Sequence, residues 1–262
     1  MINERPIGIF DSGIGGLSIA RQIRARLVNE HLLYVADSIH APYGEKSGAY
    51  ITERAFSISD FLLEHKVKAI VVACNTATVS SIKALRARYN IPIIGVEPGL
   101  KPAVFNTKTG VIGVLATAQT LKSSSFNDLA ESFSTDVEIV VQPCPGLMEQ
   151  VEAVDRDSAK TEALIKEYVL PLLEKGADNI VLGCTHYAFL AAVIKRVAGS
   201  KVKIINTDFA VAKETGRRLK AEDLLSKNSE QGSIDFWSSA PSTVAQRQFS
   251  LLWGSSVTVL KL

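Results

Sequence analysis

The segment Leu62-Leu63-Glu64, followed by Ala69-Ile70-Val71-Val72-Ala73-Cys74-Asn75-Thr76, returns 110 positions later as Leu172-Leu173-Glu174, followed by Asn179-Ile180-Val181-Leu182-Gly183-Cys184-Thr185-His186. Each copy reads as the end of a helix, a short turn and an apolar strand. A further helical run and strand come after both, ending in Ile93–Val96 and Lys203–Ile205. Two ordinary helix–strand units can resemble each other by composition alone, but here the Cys keeps its register without a gap. The preferred reading is two similar lobes, each offering one Cys just past the end of a strand.

The rest of the chain fits that frame. Other short apolar runs lie at Ile7–Phe10, Leu32–Ala36, Val111–Leu115 and Val137–Val141, and several are apolar on both faces, as strands covered by helices on each side must be. Between strands, Ile51, Ala55, Ile58 and Leu62 mark one helical face, and Thr161, Ile165, Val169 and Leu172 another. Pro171 is expected to kink or re-aim the second helix. Alternating strands and helices predict an α/β fold with parallel sheets. The length, 262 residues, suits one large or two small domains at ~100–200 residues each. The polar stretch 227–232 reads as a loop. Beyond it, Ile234–Trp237 and Val257–Leu260 allow either extra strands or a helix and a strand.

Composition narrows the function classes. Hydrophobic residues make up 47% and charged residues 21%, which excludes a disordered chain. The net charge is +2, so nothing draws the protein toward nucleic acid or an anionic membrane. No apolar run approaches the ~18 residues of a membrane helix, and the first residues lack the features of a signal peptide. Three Cys without an export signal predict free thiols and a cytoplasmic location rather than a disulfide framework.

In open parallel sheets, ligands bind beyond the carboxyl ends of strands. Those positions hold Asp11-Ser12, Asp37, Cys74-Asn75-Thr76, Ala116-Thr117 and Cys184-Thr185-His186. Asp11-Ser12-Gly13-Ile14-Gly15-Gly16 lies between a strand and a helix, where glycines permit close backbone approach and helix N–H groups attract anions. It lacks the spacing of either a dinucleotide fingerprint or a P-loop. A plain glycine-rich turn with Asp or Ser capping the helix is the competing reading. A lone Cys is often inert core; two in matched lobes, each followed by hydroxyl or amide residues, point to chemistry. Zinc is disfavoured because no C-x-x-C or H-x-x-x-H spacing exists. Cys144 has no partner in the repeat and reads as structural. His186 either polarises Cys184 or is a satisfied buried histidine.

Together, Asp11-Ser12-Gly13-Ile14-Gly15-Gly16, Asp37 with Ala41-Pro42-Tyr43-Gly44, Ala73-Cys74-Asn75-Thr76-Ala77 and Gly183-Cys184-Thr185-His186-Tyr187 closely resemble the glutamate racemase family, within the aspartate/glutamate racemase superfamily. The likeness spans nearly the whole chain. It implies two flavodoxin-like α/β lobes, pseudo-symmetric, facing each other across a cleft. The first lobe would be discontinuous, residues 1–97 plus 208–262, and the second would be 98–207. The family uses no pyridoxal phosphate, metal or nucleotide.

The resemblance further implies a cofactor-independent racemase for glutamate, supplying D-glutamate for bacterial peptidoglycan and working by two bases. Thiols suit such work, since their reference pKa of ~8.5 is nearer neutrality than that of Lys or Tyr. By the family pattern, Cys74 faces the proton of D-glutamate and Cys184 that of L-glutamate. Asp11 assists Cys74, while His186 and Glu152 assist Cys184, with Glu149 as the alternative acid. Asp11, Ser12, Tyr43, Gly44, Asn75, Thr76, Thr117, Thr185 and His186 would bind substrate. The segment 115–123 follows one branch of the family rather than its commonest form, and in part of the family a cell-wall precursor regulates the enzyme. A homodimer is expected on resemblance, with no nucleic-acid or membrane partner. An aspartate racemase, or a two-lobed amino-acid binding module without catalysis, are the alternatives.

Overall fold

The computed structural model describes residues 2–133, 135 and 137–262; Met1, Ser134 and Asp136 lie outside it. The first sheet is built from β1 (Ile7–Asp11), β2 (Leu32–Ala36), β3 (Ala69–Val72) and β4 (Ile93–Gly95), interleaved with α1 (Leu17–Arg26), α2 (Gly48–Glu64) and α3 (Asn75–Arg88). α4 (Leu100–Asn106) leads into the second sheet, built from β5 (Val111–Ala116), β6 (Glu138–Pro143), β7 (Asn179–Gly183) and β8 (Lys203–Ile205). With these strands come α5 (Ala118–Lys122), α6 (Ser124–Glu131), α7 (Leu147–Glu152), α8 (Ala159–Glu174) and α9 (Ala191–Ala198). The chain then returns to the first lobe through α10 (Asp208–Ala221), β9 (Ile234–Ser238), α11 (Ser242–Trp253) and β10 (Val259–Lys261).

The six-stranded sheet runs β10-β9-β2-β1-β3-β4 and the four-stranded sheet β6-β5-β7-β8. All pairings are parallel. The order β2-β1-β3-β4 in one sheet therefore recurs as β6-β5-β7-β8 in the other, and the two lobes are the doubly wound halves that the internal repeat predicts. The tail adopts strand, helix, strand, and so combines the two alternatives open in the sequence. Its two strands extend the first sheet beyond β2.

The periodic positions do what their spacing requires. Ile51, Ala55, Ile58 and Leu62 are buried on α2, and Thr161, Ile165, Val169 and Leu172 on α8. Pro171 is accommodated in the last turn of α8, which continues to Glu174. β1, β2, β3 and β7 are buried at every residue; each large apolar side chain so enclosed contributes about 1.5–3 kcal/mol. Gly8 and Gly113, one in each central strand, are small for the same reason. A Cβ on Gly8 would meet Leu62 at 3.0 Å, and one on Gly113 would meet Leu172 at 2.7 Å. Leu62 and Leu172 are themselves counterparts in the internal repeat, so each lobe packs the same helix position onto the same glycine.

Candidate active site

Both cysteines stand at the N-cap position of the turn that follows a strand. Cys74 follows β3 with φ −141° and ψ 122°, and Cys184 follows β7 with φ −143° and ψ 135°. The repeat therefore holds at the level of backbone torsion. The two chains diverge immediately after the Cys. Cys74 starts the α-helix α3, and the N–H of Ala77 donates to its Sγ at 3.4 Å. Cys184 starts a 3-10 segment, Thr185–Leu190, and its Sγ lies 3.8 Å from Nδ1 of His186. One thiol thus leans on backbone N–H groups at a helix start and the other on an imidazole.

The Cys74 side is deeply buried. Its Sγ donates to Ser12 Oγ at 3.8 Å. Burial pushes the thiol well above its ordinary pKa, and the Asp11 carboxylate nearby pushes in the same direction. Burial likewise raises the pKa of Asp11, against the pull of the His186 charge and of the Gly16 N–H. Oδ2 of Asp11 accepts from the N–H groups of Gly13 and Gly16 at 3.3 and 3.0 Å, which closes the glycine-rich turn. Two buried polar atoms here, Asp11 Oδ1 and Asn75 Nδ2, have no hydrogen-bond partner among the described residues. Buried groups of this kind are normally paired. One is an acceptor and the other a donor.

On the opposite side, His186 Nε2 pairs with Glu152 Oε1 at 2.7 Å. Burial opposes charge on the imidazole, yet its hydrogen bonds to Cys184 and Glu152 hold its pKa well above the ordinary value. The structure brings Glu152, at the end of α7, to this position; Glu149 is exposed. The same Glu152 Oε1 accepts from the N–H of Ile14 at 3.0 Å. The glycine-rich turn therefore does receive an anion on a backbone N–H, but the anion is a carboxylate of the other lobe.

That contact explains the glycines. A Cβ on Gly13 would fall 2.0 Å from Glu152 Oε1, and one on Gly15 would fall 2.3 Å from His186 Nδ1. Positions 13 and 15 carry no side chain because the opposite lobe's acid–imidazole pair occupies that space. Tyr34 holds the turn from behind, donating to the Gly13 carbonyl at 2.8 Å.

Of the remaining expected residues, Asn75, Thr76 and Thr185 are buried with the thiols. Thr76 Oγ1 lies within hydrogen-bonding distance of Thr117 and of Thr120. Tyr43 does not offer its hydroxyl to the cleft. It donates to Asp37 at 2.6 Å, and Arg54 grips the same carboxylate through Nε and Nη2, each at 2.9 Å. The contribution of this loop is its backbone, pressed against the second lobe: a Cβ on Gly44 would meet that of Thr117 at 2.9 Å. Cys144 is buried and donates its thiol to the Gln142 carbonyl. Thr120 is an addition to the expected set, although Thr117-x-x-Thr120 has the spacing of a helix cap, and Thr117 does accept from the Thr120 N–H at 3.2 Å. Gln248, which touches Glu152, carries no sequence signal at all.

Comparison with known proteins agrees with this architecture. The profile of the Asp/Glu/Hydantoin racemase family matches residues 17–215. A glutamate racemase of Methylococcus capsulatus is 54% identical over 251 residues, covering 96% of this chain and 93% of the relative. Among solved structures, a glutamate racemase isoform from Bacillus anthracis superposes with a TM-score of 0.91 at 31% identity, covering 99% of this chain and 98% of its own. The Escherichia coli glutamate racemase, solved with L-glutamate and the activator UDP-MurNAc-Ala, gives 0.86 at 31% identity, covering 98% and 97%. With two matched lobes and this agreement across the chain, the protein belongs to the Asp/Glu/Hydantoin racemase family.

Proposed function

We propose that this chain interconverts L- and D-glutamate without a cofactor, using Cys74 and Cys184 as bases on opposite faces of the α-carbon. The observation that carries the reading is one thiol at the same point of each matched lobe, each with its own polar helpers. Inverting an α-carbon means removing a weakly acidic proton from one face and returning one to the other. A single base would have to cross the substrate; two bases on facing lobes need not move. Starting from L-glutamate, the Cys184 thiolate takes the α-proton and the Cys74 thiol delivers one to the other face, leaving Cys184 protonated and Cys74 as thiolate. The reverse sequence consumes D-glutamate.

Glutamate as substrate is supported by the named relatives and by the unpaired atoms of the cleft. Asp11 Oδ1 is an acceptor suited to an α-ammonium group, and Asn75 Nδ2 a donor suited to a carboxylate. Ser12, Thr76, Thr117 and Thr185 offer further donors, with the backbone of Tyr43-Gly44 beside them. An incoming ammonium also brings positive charge to the thiol that burial and Asp11 hold protonated. Asp11 serves Cys74, and His186 with Glu152 serves Cys184.

We take the catalytic lobes as residues 1–97 with 208–262, and 98–207. D-glutamate made in the cytoplasm would feed peptidoglycan assembly. A homodimer, and regulation by a cell-wall precursor of the kind bound to the E. coli relative, complete the reading.

Incubation of purified, metal-stripped protein with L-glutamate in heavy water tests it. Loss of optical rotation with α-deuterium incorporation is expected. Turnover of aspartate alone would favour the sister enzyme, and binding without either change a non-catalytic module.

A further inference from the structure

Glu152 is held by more than His186. Its main-chain carbonyl, at the last residue of α7, accepts from Nε2 of Gln248 at 2.6 Å, and the same nitrogen lies 3.5 Å from Oε2. Gln248 belongs to α11, a helix of the opposite lobe. Ala245, Phe249 and Leu252 are buried along that helix and fix its rotation. The carbonyls of a helix's last turn lack intrahelical partners and need a donor from elsewhere. For α7 that donor comes from the other lobe. The amide is neutral, so it holds Glu152 without neutralising the carboxylate that His186 uses.

The first lobe therefore reaches Glu152 from two sides, through the Ile14 N–H on Oε1 and through Gln248 on the carbonyl and Oε2. Neither contact exists within the second lobe alone. The acid that orients His186, and through it Cys184, is set only when the two lobes stand in this relation.

We propose that Gln248 is a positioning residue for the Cys184 half of the reaction: by capping α7 across the cleft, it fixes Glu152 on His186 and makes the readiness of Cys184 depend on lobe closure. The inference rests on the two-thiol mechanism proposed for this site. It deepens that mechanism by assigning part of the catalytic geometry to the C-terminal helix.

The test is a double-mutant cycle in the full chain, with Gln248→Met, Glu152→Gln and the pair, alongside Cys184→Ser. Gln248→Met keeps the length of the side chain and removes both donors. It is expected to lower kcat about tenfold in the parent protein and by less than twofold in the Glu152→Gln background, because residues acting through one another are not additive. The primary isotope effect with α-deuterated substrate should grow for L-glutamate more than for D-glutamate. Gln248→Asn, which returns a neutral amide donor on a side chain one methylene shorter, should recover part of the rate. That recovery keeps the test decisive if the Met variant melts early. Equal losses in both backgrounds, or equal isotope effects for both enantiomers, would overturn the role of Gln248 while leaving the thiols in place. Racemisation surviving in Cys184→Ser would instead overturn the two-thiol mechanism, and this proposal with it.

Discussion

Thr76 and Thr117 sit Oγ1 to Oγ1 at 2.9 Å, joining the first turn of α3 in one lobe to the cap of α5 in the other. Thr120 closes a triangle with them, 3.2 Å from Thr76 and 3.0 Å from Thr117. A hydroxyl carries one donor and two acceptor sites, so three of them can satisfy one another around a ring. A carboxylate accepts only. Its arrival would turn such a ring into a set of donors aimed at one anion, which is the arrangement that the substrate-binding role proposed for Thr76 and Thr117 requires.

Thr117→Val tests that arrangement, since it keeps the shape and removes the hydroxyl. The expected outcome is a KM for glutamate raised roughly tenfold, the equivalent of one lost hydrogen bond to a charged group at about 1.5 kcal/mol, with kcat changed little. Because Thr117 also caps α5, melting should fall by the equivalent of about 1 kcal/mol. Steady-state kinetics in both directions, with a thermal melt of each protein, give the answer.

Cys74→Ser and Cys184→Ser should each lower racemisation by at least about 10²-fold, the lower end of what a positioned acid or base contributes. Cys144→Ser should retain most activity, because its thiol is spent on the Gln142 carbonyl. Circular dichroism of the substrate reports all three. A substrate with a leaving group, which needs only one base, separates loss of one thiol from collapse of the site: elimination should survive in at least one single variant.

Gly15→Ala places a methyl group 2.3 Å from Nδ1 of His186 and 2.7 Å from its Cγ. A buried ring cannot give way by that much without leaving Cys184. We expect a loss of roughly 10²-fold in activity and about 1–3 kcal/mol in stability from overpacking. Gly48→Ala is the control, for its nearest neighbour would be Gln119 Nε2 at 3.9 Å. It should leave activity unchanged and, in the first turn of α2, raise stability slightly. Equal behaviour of the two variants would show that the glycine-rich turn is not kept bare by the acid–imidazole pair.

Asp208, in the first turn of α10, makes stability depend on pH. Burial pushes its carboxyl up from the ordinary 3.8 to about 6, with Ser18 pulling the other way. Between those values the folded protein keeps a proton that the unfolded chain has released. Stability from this group is therefore full below pH 3.8, falls as pH rises toward 6, and stays reduced above it. Asp208→Asn should stabilise the protein at pH 7–8 by about 1–3 kcal/mol and have no such effect near pH 4. Urea denaturation at both pH values is the measurement.

The sheets are legible in the sequence because burial on both faces writes itself locally: β3 is a continuous apolar run, β1 is one up to Asp11 and β7 is one after Asn179, and the residues just beyond such a run are enough to find a strand end. Both thiols lie at those ends. The apolar run Val137–Val141 marks β6 with its ends displaced, since the strand begins at Glu138 and continues to Pro143. The hidden part of the site has one physical cause. Glu152 meets Ile14 and Gln248 across the cleft and His186 from a distant part of its own lobe, and Thr76 meets Thr117 between lobes. Helical and strand periodicity speak only of neighbours within a few residues. For the same reason the glycines at 13 and 15 are visible as space, while the groups that fill that space are not.

The closure of the first sheet by β9 and β10 has a consequence for how the protein is born. β2 pairs with β9, placing Leu32 beside Ile234. On a ribosome adding about 5–20 residues each second, roughly 10–40 s separate the two strands. For that interval the outer edge of β2 is expected to stand unpaired, and an unpaired edge invites association with other chains. The second sheet uses only β5 to β8, so the half of the molecule made later has all its strands first. Synthesis thus leaves the older lobe waiting for the last thirty or so residues, and with them α11, before the cleft acquires both of its walls.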